Sequence, residues 1–291
     1  MNRTQRITAE WLQHSGLVGN DLLLEALLRR GFLVYLDDDG LWLGTGSHPK
    51  DLTALQSIGG LTIQPIVDHH DRMACIKATH TGKALEAIAL SIIELPENHF
   101  NGHSMWTGMG LGHHMRGTWR QYVSMKWGAK MAVCPMQTVH QKSVANALDL
   151  GVALLVKTFS LARVATTYCC DGHGERPAEI SFLSQWDVPW ANCVFRLLEF
   201  KAAHSNWTWL QQDEGNLLLI EPCAGFTDVA TKGMLDDIQH FARQLLDSDT
   251  IDKIGFARSK TLAGFDYEPT VSQFSDEAER QLHAEFIPPI E

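Results

Sequence analysis

The residues with the clearest chemical potential lie together in Thr166-Thr167-Tyr168-Cys169-Cys170-Asp171-Gly172-His173-Gly174. Two residues separate Cys170 from His173, a spacing that can chelate a metal such as zinc. Alternatively, His173 could lower the pKa of the Cys170 thiol while Asp171 orients a base, giving a thiolate nucleophile. Asp171 could also serve as a general base or a ribose contact. A zinc site needs three or four ligands. Cys169, Cys170 and His173 are local, and further ligands would have to come from His113, His114, Cys193 or Cys223. The plain alternative is a pair of small buried cysteines before a hairpin turn made by Asp171-Gly172, since free cysteine is among the most buried residue types.

A second region carries charge rather than nucleophiles. From Asn98 to Leu148 there is no aspartate or glutamate, while Arg116, Arg120, Lys126, Lys130 and Lys142 make the segment formally +5 within a protein of net charge −10. His99, His103, His113, His114 and His140 lie in the same stretch. Such a segment favours an anionic ligand: a phosphate-bearing small molecule, a nucleotide or a nucleic acid. Its glycines, Gly110 and Gly112 among them, would let the backbone approach a phosphate rimmed by Arg116 and Arg120. Trp106, Trp119, Tyr122 and Trp127 interleave with these cations, as base stacking on single strands requires and as an ordinary core element also does. His113-His114 and His69-His70 are adjacent pairs rather than the i, i+4 pairs of a metal-binding helix face.

The elements that would position these residues read as α+β, antiparallel hairpins with packed helices. A helix over 21–30, stopped by Gly31, precedes strands at 32–36 and 41–44 around the acidic turn 37–40. Pro49 opens a short helix to Ile58, a second hairpin covers 61–67 and 72–78, and a helix spans 83–95. The strand–strand–helix unit thus occurs twice in residues 1–96, which hints at a small internally duplicated module. Residues 97–250 form a larger α+β region. It has a helix from Val139 to Val156, strands at 164–169 and 178–183, a helix at 189–201 that Asp187 is placed to cap, a third hairpin at 206–211 and 217–221, and an amphipathic helix at 227–246. Residues 251–291 read as an acidic C-terminal extension with a short helix at 275–286. Hairpins rather than strict strand–helix alternation argue against a doubly wound sheet, and no G-x-G-x-x-G or P-loop motif stands in a usable context.

Apolar residues make up 45% and charged residues 20% of the 291-residue chain, the balance of a globular protein. No run of 18 apolar residues exists to cross a membrane. The N-terminus lacks the apolar stretch of a signal peptide, and the six scattered cysteines read as free thiols of a cytoplasmic protein.

From Thr166 to His173 the chain resembles the Ser-Ser-Cys-Ser-Gly-Arg element of wybutosine-synthesis methyltransferase-like proteins, with His173 where that element has arginine. The residues themselves point to an enzyme acting on a phosphate-bearing small molecule or nucleotide by acid–base or metal-assisted chemistry. The alternatives are a nucleic-acid-binding module using Trp119, Arg120, Lys126 and Trp127, or a structural assembly protein.

Overall fold

The computed structural model of the protein describes residues 1–44, 47, 49–66, 72–95, 99–100, 146–164, 166–182, 184–212 and 215–287. Within them the chain is α+β. Helices α1 (Arg3–His14) and α2 (Gly19–Arg30) lead into the hairpin β1 (Val34–Asp37) and β2 (Gly40–Gly44). Helix α3 (Pro49–Gln56) precedes the hairpin β3 (Leu61–Pro65) and β4 (Arg72–Ala78), and α4 (Gly82–Ile93) follows. The two hairpins are halves of one antiparallel sheet, ordered β1-β2-β4-β3.

A short ladder joins β5 (His99–Phe100) to β6 (Asn146–Ala147). Helix α5 (Leu150–Leu161) follows at once, then β7 (Thr166–Cys170) and β8 (Ala178–Phe182). Next come α6 (Asp187–Leu197), the hairpin β9 (Ser205–Gln212) and β10 (Gly215–Pro222), and α7 (Asp228–Leu246). This second antiparallel sheet is ordered β7-β8-β10-β9. A helical pair, α8 (Ser248–Ala263) and α9 (Val271–Phe286), ends the described chain.

The order helix, hairpin, helix, hairpin, helix therefore occurs twice, as α2 to α4 and again as α5 to α7, and the sheets share one connectivity. The packing recurs too: α2 lies on α4, α5 lies on α7, and the two leading helices, α2 and α5, pack on each other. Gly31, in the left-handed conformation at φ 91°, ends α2 where a Cβ would stand 2.2 Å from Ala153 Cβ of α5. One continuous apolar cluster runs through both halves. No helix among the described residues is long and apolar enough to cross a membrane.

Three expectations need correction. The helix placed at Val139–Val156 begins at Leu150, because Asn146 and Ala147 are spent pairing with β5; residues 139–145 lie outside the described ones. Asp187 is the first residue of α6 rather than its cap. Its carboxylate accepts from the Ser184 amide and hydroxyl and meets the buried Arg258 guanidinium at 3.4 Å. Instead of one short C-terminal helix at 275–286 there are two sixteen-residue helices, the first of which begins at Ser248, ahead of the extension placed at 251–291. The buried stripe of α8 includes Arg258 and Thr261 beside Ile254 and Ala257, so its apolar period is masked.

A fully buried ion pair also ties the halves together. Lys157 Nζ of α5 donates to Asp51 Oδ2 of α3 at 3.1 Å, with both side chains excluded from solvent. Burial pulls the Lys157 ammonium below the ordinary lysine range, and Asp51 only partly offsets this. Taking one partner from a buried pair costs about 3–5 kcal/mol, whereas replacing both with apolar groups is often neutral. Urea denaturation should therefore show Lys157→Met destabilised by about that amount, and Lys157→Met with Asp51→Leu should recover most of the loss. A single variant as stable as the wild type would contradict this role.

Candidate thiol and imidazole site

The site is assembled where the start of α5 meets the β7–β8 connection. Cys169 and Cys170 occupy successive positions of β7, opposite Ile180 and Glu179 of β8, so their side chains leave opposite faces of the sheet. Beyond Cys170 the chain turns tightly. Gly172, His173 and Gly174 have φ of 69°, 54° and 76°, a run of left-handed residues in which the middle one carries a side chain. That conformation costs an L-residue roughly 1–2 kcal/mol, so the imidazole is held there against local preference.

Asp171 fastens the turn to the helix. Its carboxylate is fully buried and accepts from the His173 amide at 2.9 Å and the Gly151 amide of α5 at 3.2 Å. In return, Asp149, the residue before α5, accepts the Asp171 amide on Oδ2 at 3.2 Å. The approach needs glycine at position 151, where a Cβ would fall 2.9 Å from Asp171 Cβ and 2.7 Å from Leu235 Cδ2. Burial first, and then repulsion from Asp149, push the Asp171 carboxyl above the usual carboxylate range. The positive end of α5 works in the opposite sense, because unpaired amides at a helix start favour negative charge.

His173 bridges the buried carboxylate and the thiol. Its Nδ1 lies 3.2 Å from Asp171 Oδ1, and its Nε2 lies 3.8 Å from Cys170 Sγ. Cys170 is buried, whereas the His173 side chain is 49% exposed, so the cluster reaches solvent through the imidazole. The sulfur also receives the Gly172 amide at 3.4 Å and the Arg176 guanidinium at 3.3 Å. That sulfur contact is the main cause holding Arg176 above its ordinary value. Burial pushes the neighbouring Tyr168 phenol up, with Cys170 the next largest influence.

Cys170, Asp171 and His173 are thus brought together as the sequence suggests, with Asp149 as a fourth member; the potential ligand atoms of all four lie within 4.8 Å of one another. Cys169 is not among them. Burial, followed by the Asp149 charge, pushes its thiol up to about 12, so it stays protonated at neutral pH. Cys193 sits on α6 beside Ser275, and the exposed Cys223 lies beside Asn206, so neither joins the cluster. Gly110, Gly112, His113, His114, Arg116 and Arg120 lie outside the described residues. Sequence reasoning missed Asp149 and Arg176. Asp149 had a signal, since an aspartate directly before the apolar run Leu150–Leu161 marks a helix start.

The Asp171 side chain is fully buried, and its carboxylate lies against the His173 ring rather than at the surface. The cluster presents a thiol facing an imidazole that a carboxylate orients, an arrangement suited to moving a proton from sulfur to nitrogen. No protein-family model, curated protein or solved structure matches the chain.

The left-handed geometry at residue 173 is directly testable. His173→Gly should be more stable than His173→Ala by about 1 kcal/mol in urea denaturation, because only glycine adopts φ near 54° without strain. Equal stability, or a more stable alanine variant, would place residue 173 in another conformation.

Proposed function

We propose that the protein is an enzyme acting on a phosphate-bearing small molecule or nucleotide, with Cys170 as nucleophile, His173 as proton acceptor and donor, and Asp171 as the positioning residue. The observation that carries this reading is the relay itself: Cys170 Sγ at 3.8 Å from His173 Nε2, and His173 Nδ1 at 3.2 Å from the buried Asp171 carboxylate. In such a relay Nε2 takes the thiol proton, the thiolate attacks an electrophilic centre, and the imidazolium returns the proton to the leaving group. The Gly172 amide and Arg176 guanidinium both donate to the sulfur, which fixes its position facing the imidazole.

The substrate class rests on charge. The acid-free segment 98–148 leaves the described chain after β5 and returns at β6, and Asp149 of the cluster follows two residues later. A cationic segment rooted beside a catalytic thiol favours anionic substrates. A nucleophile that must stay reduced suits the cytoplasm.

The test has two arms. In chelator-containing buffer at pH 7, iodoacetamide should alkylate Cys170 at least about tenfold faster in the wild type than in His173→Ala, with the modified residue located by peptide mass spectrometry. In a screen of nucleotides and sugar phosphates, Cys170→Ser and His173→Ala should lower turnover by about 100-fold or more at unchanged melting temperature. Alkylation indifferent to His173, or full turnover in either variant, rejects the relay.

A further inference from the structure

We infer that Asp149, Cys170 and His173 form a binding site for a divalent cation of the zinc class, with Asp171 orienting the imidazole, and that occupancy silences the relay. The inhibitory consequence rests on the relay proposed above, whereas the metal site stands on its own geometry. The ligand atoms of the cluster lie within 4.8 Å of one another. Ligands at ordinary Zn–S and Zn–N distances in a tetrahedral site stand about 3.5 Å apart. The 3.8 Å between Cys170 Sγ and His173 Nε2 needs only a small contraction to match.

The donor set selects the metal. A thiolate and an imidazole exclude magnesium and calcium, which take oxygen ligands, while the carboxylate disfavours copper(I), which prefers soft donors. His173 offers Nε2 because Nδ1 is turned toward Asp171 Oδ1. A metal-bound histidine is ordinarily oriented in this way, by a carboxylate on its other nitrogen. Among the described residues neither Asp149 nor Asp171 forms an ion pair with a lysine or arginine, and the Arg176 guanidinium beside them donates to the Cys170 sulfur instead, at 3.3 Å. A divalent ion would place positive charge between the two carboxylates and the sulfur. Three protein ligands leave a fourth position for water, and the half-exposed imidazole marks the side from which an ion arrives.

Silencing follows from the atoms used. The ion takes the sulfur lone pair that would attack a substrate and the Nε2 lone pair that would accept the proton. Binding displaces the thiol proton to solvent and involves no change of oxidation state. It also requires the Arg176 guanidinium to leave the sulfur, which its exposed position permits.

The test uses the full chain stripped with a chelator and then exchanged into metal-free buffer. Stoichiometric Co2+ should produce a thiolate-to-cobalt charge-transfer absorption, lost in Cys170→Ser. Zn2+ affinity, read by competition with a chromophoric chelator, should be one ion per chain and fall by about tenfold or more in both Asp149→Asn and His173→Gly. Zn2+ should slow alkylation of Cys170 by at least about tenfold while the exposed Cys223 reacts at an unchanged rate. Circular dichroism establishes that each variant is folded. Absence of the cobalt band, or zinc affinity unaffected by Cys170→Ser and Asp149→Asn, overturns the site. Binding that leaves Cys170 alkylation unchanged overturns the silencing. The ratio of wild-type to His173→Ala alkylation in chelator is read without metal, so the relay and the metal site can fail separately.

Discussion

Everything at the site depends on how closely the first turn of α5 approaches the connection after β7. That contact brings a helix start, two carboxylates, a thiol and an imidazole together, and it is possible only because residue 151 has no Cβ. The buried Asp171 carboxylate satisfies the Gly151 and His173 amides, and Asp149 satisfies the amide of Asp171. Polar groups this deep are costly unless paired, so the hydrogen bonds fix the turn in one geometry. The turn in turn is braced from outside by α1, where Arg3 donates to the Gly174 carbonyl at 2.7 Å and meets Asp228 at the start of α7.

The recurrence of one topology explains where the site lies and where its counterpart does not. In the first half, the connection between β1 and β2 is a tight turn in which Asp37 Oδ1 accepts the amides of Asp39 and Gly40 and the indole of Trp42. Its charge is answered by Arg72, and it carries neither thiol nor imidazole. In the second half, the corresponding connection runs from Asp171 to Pro177 and is long enough to fold back on α5. Two hairpin sheets joined through α2 and α5 thus serve as a scaffold, and the thiol–imidazole cluster sits on the longer of two equivalent loops. Rigid strands feeding a glycine-rich turn are a common place for such groups, since the scaffold positions what the loop presents.

The hairpins were legible in the sequence because alternation and turn residues act locally. The acidic turn at 37–40 and the Gly31 stop of α2 both fall where residue type alone puts them. Helix α1 was not legible: its buried face includes Thr4 and Thr8 with Ile7 and Leu12, which weakens the apolar period. Helix α8 hid for the same reason, with Arg258 turned inward over Trp190 and Phe274. At the site, Cys170, Asp171 and His173 were visible because they are sequence neighbours. Asp149 lies more than twenty residues upstream on another element, and only tertiary packing of α5 against the turn reveals its part. The same holds for Lys157 and Asp51, whose pairing across the two halves is a long-range event.

The most direct measurement of the central claim is the protonation of the His173 ring in the metal-free protein, read by nitrogen-15 NMR of the neutral imidazole. An imidazole held by Asp171 and presented to Cys170 carries its proton on Nδ1 and leaves Nε2 bare, and Asp171→Asn should disturb that preference. A neutral ring protonated on Nε2, with Nδ1 bare toward the carboxylate, would contradict the account.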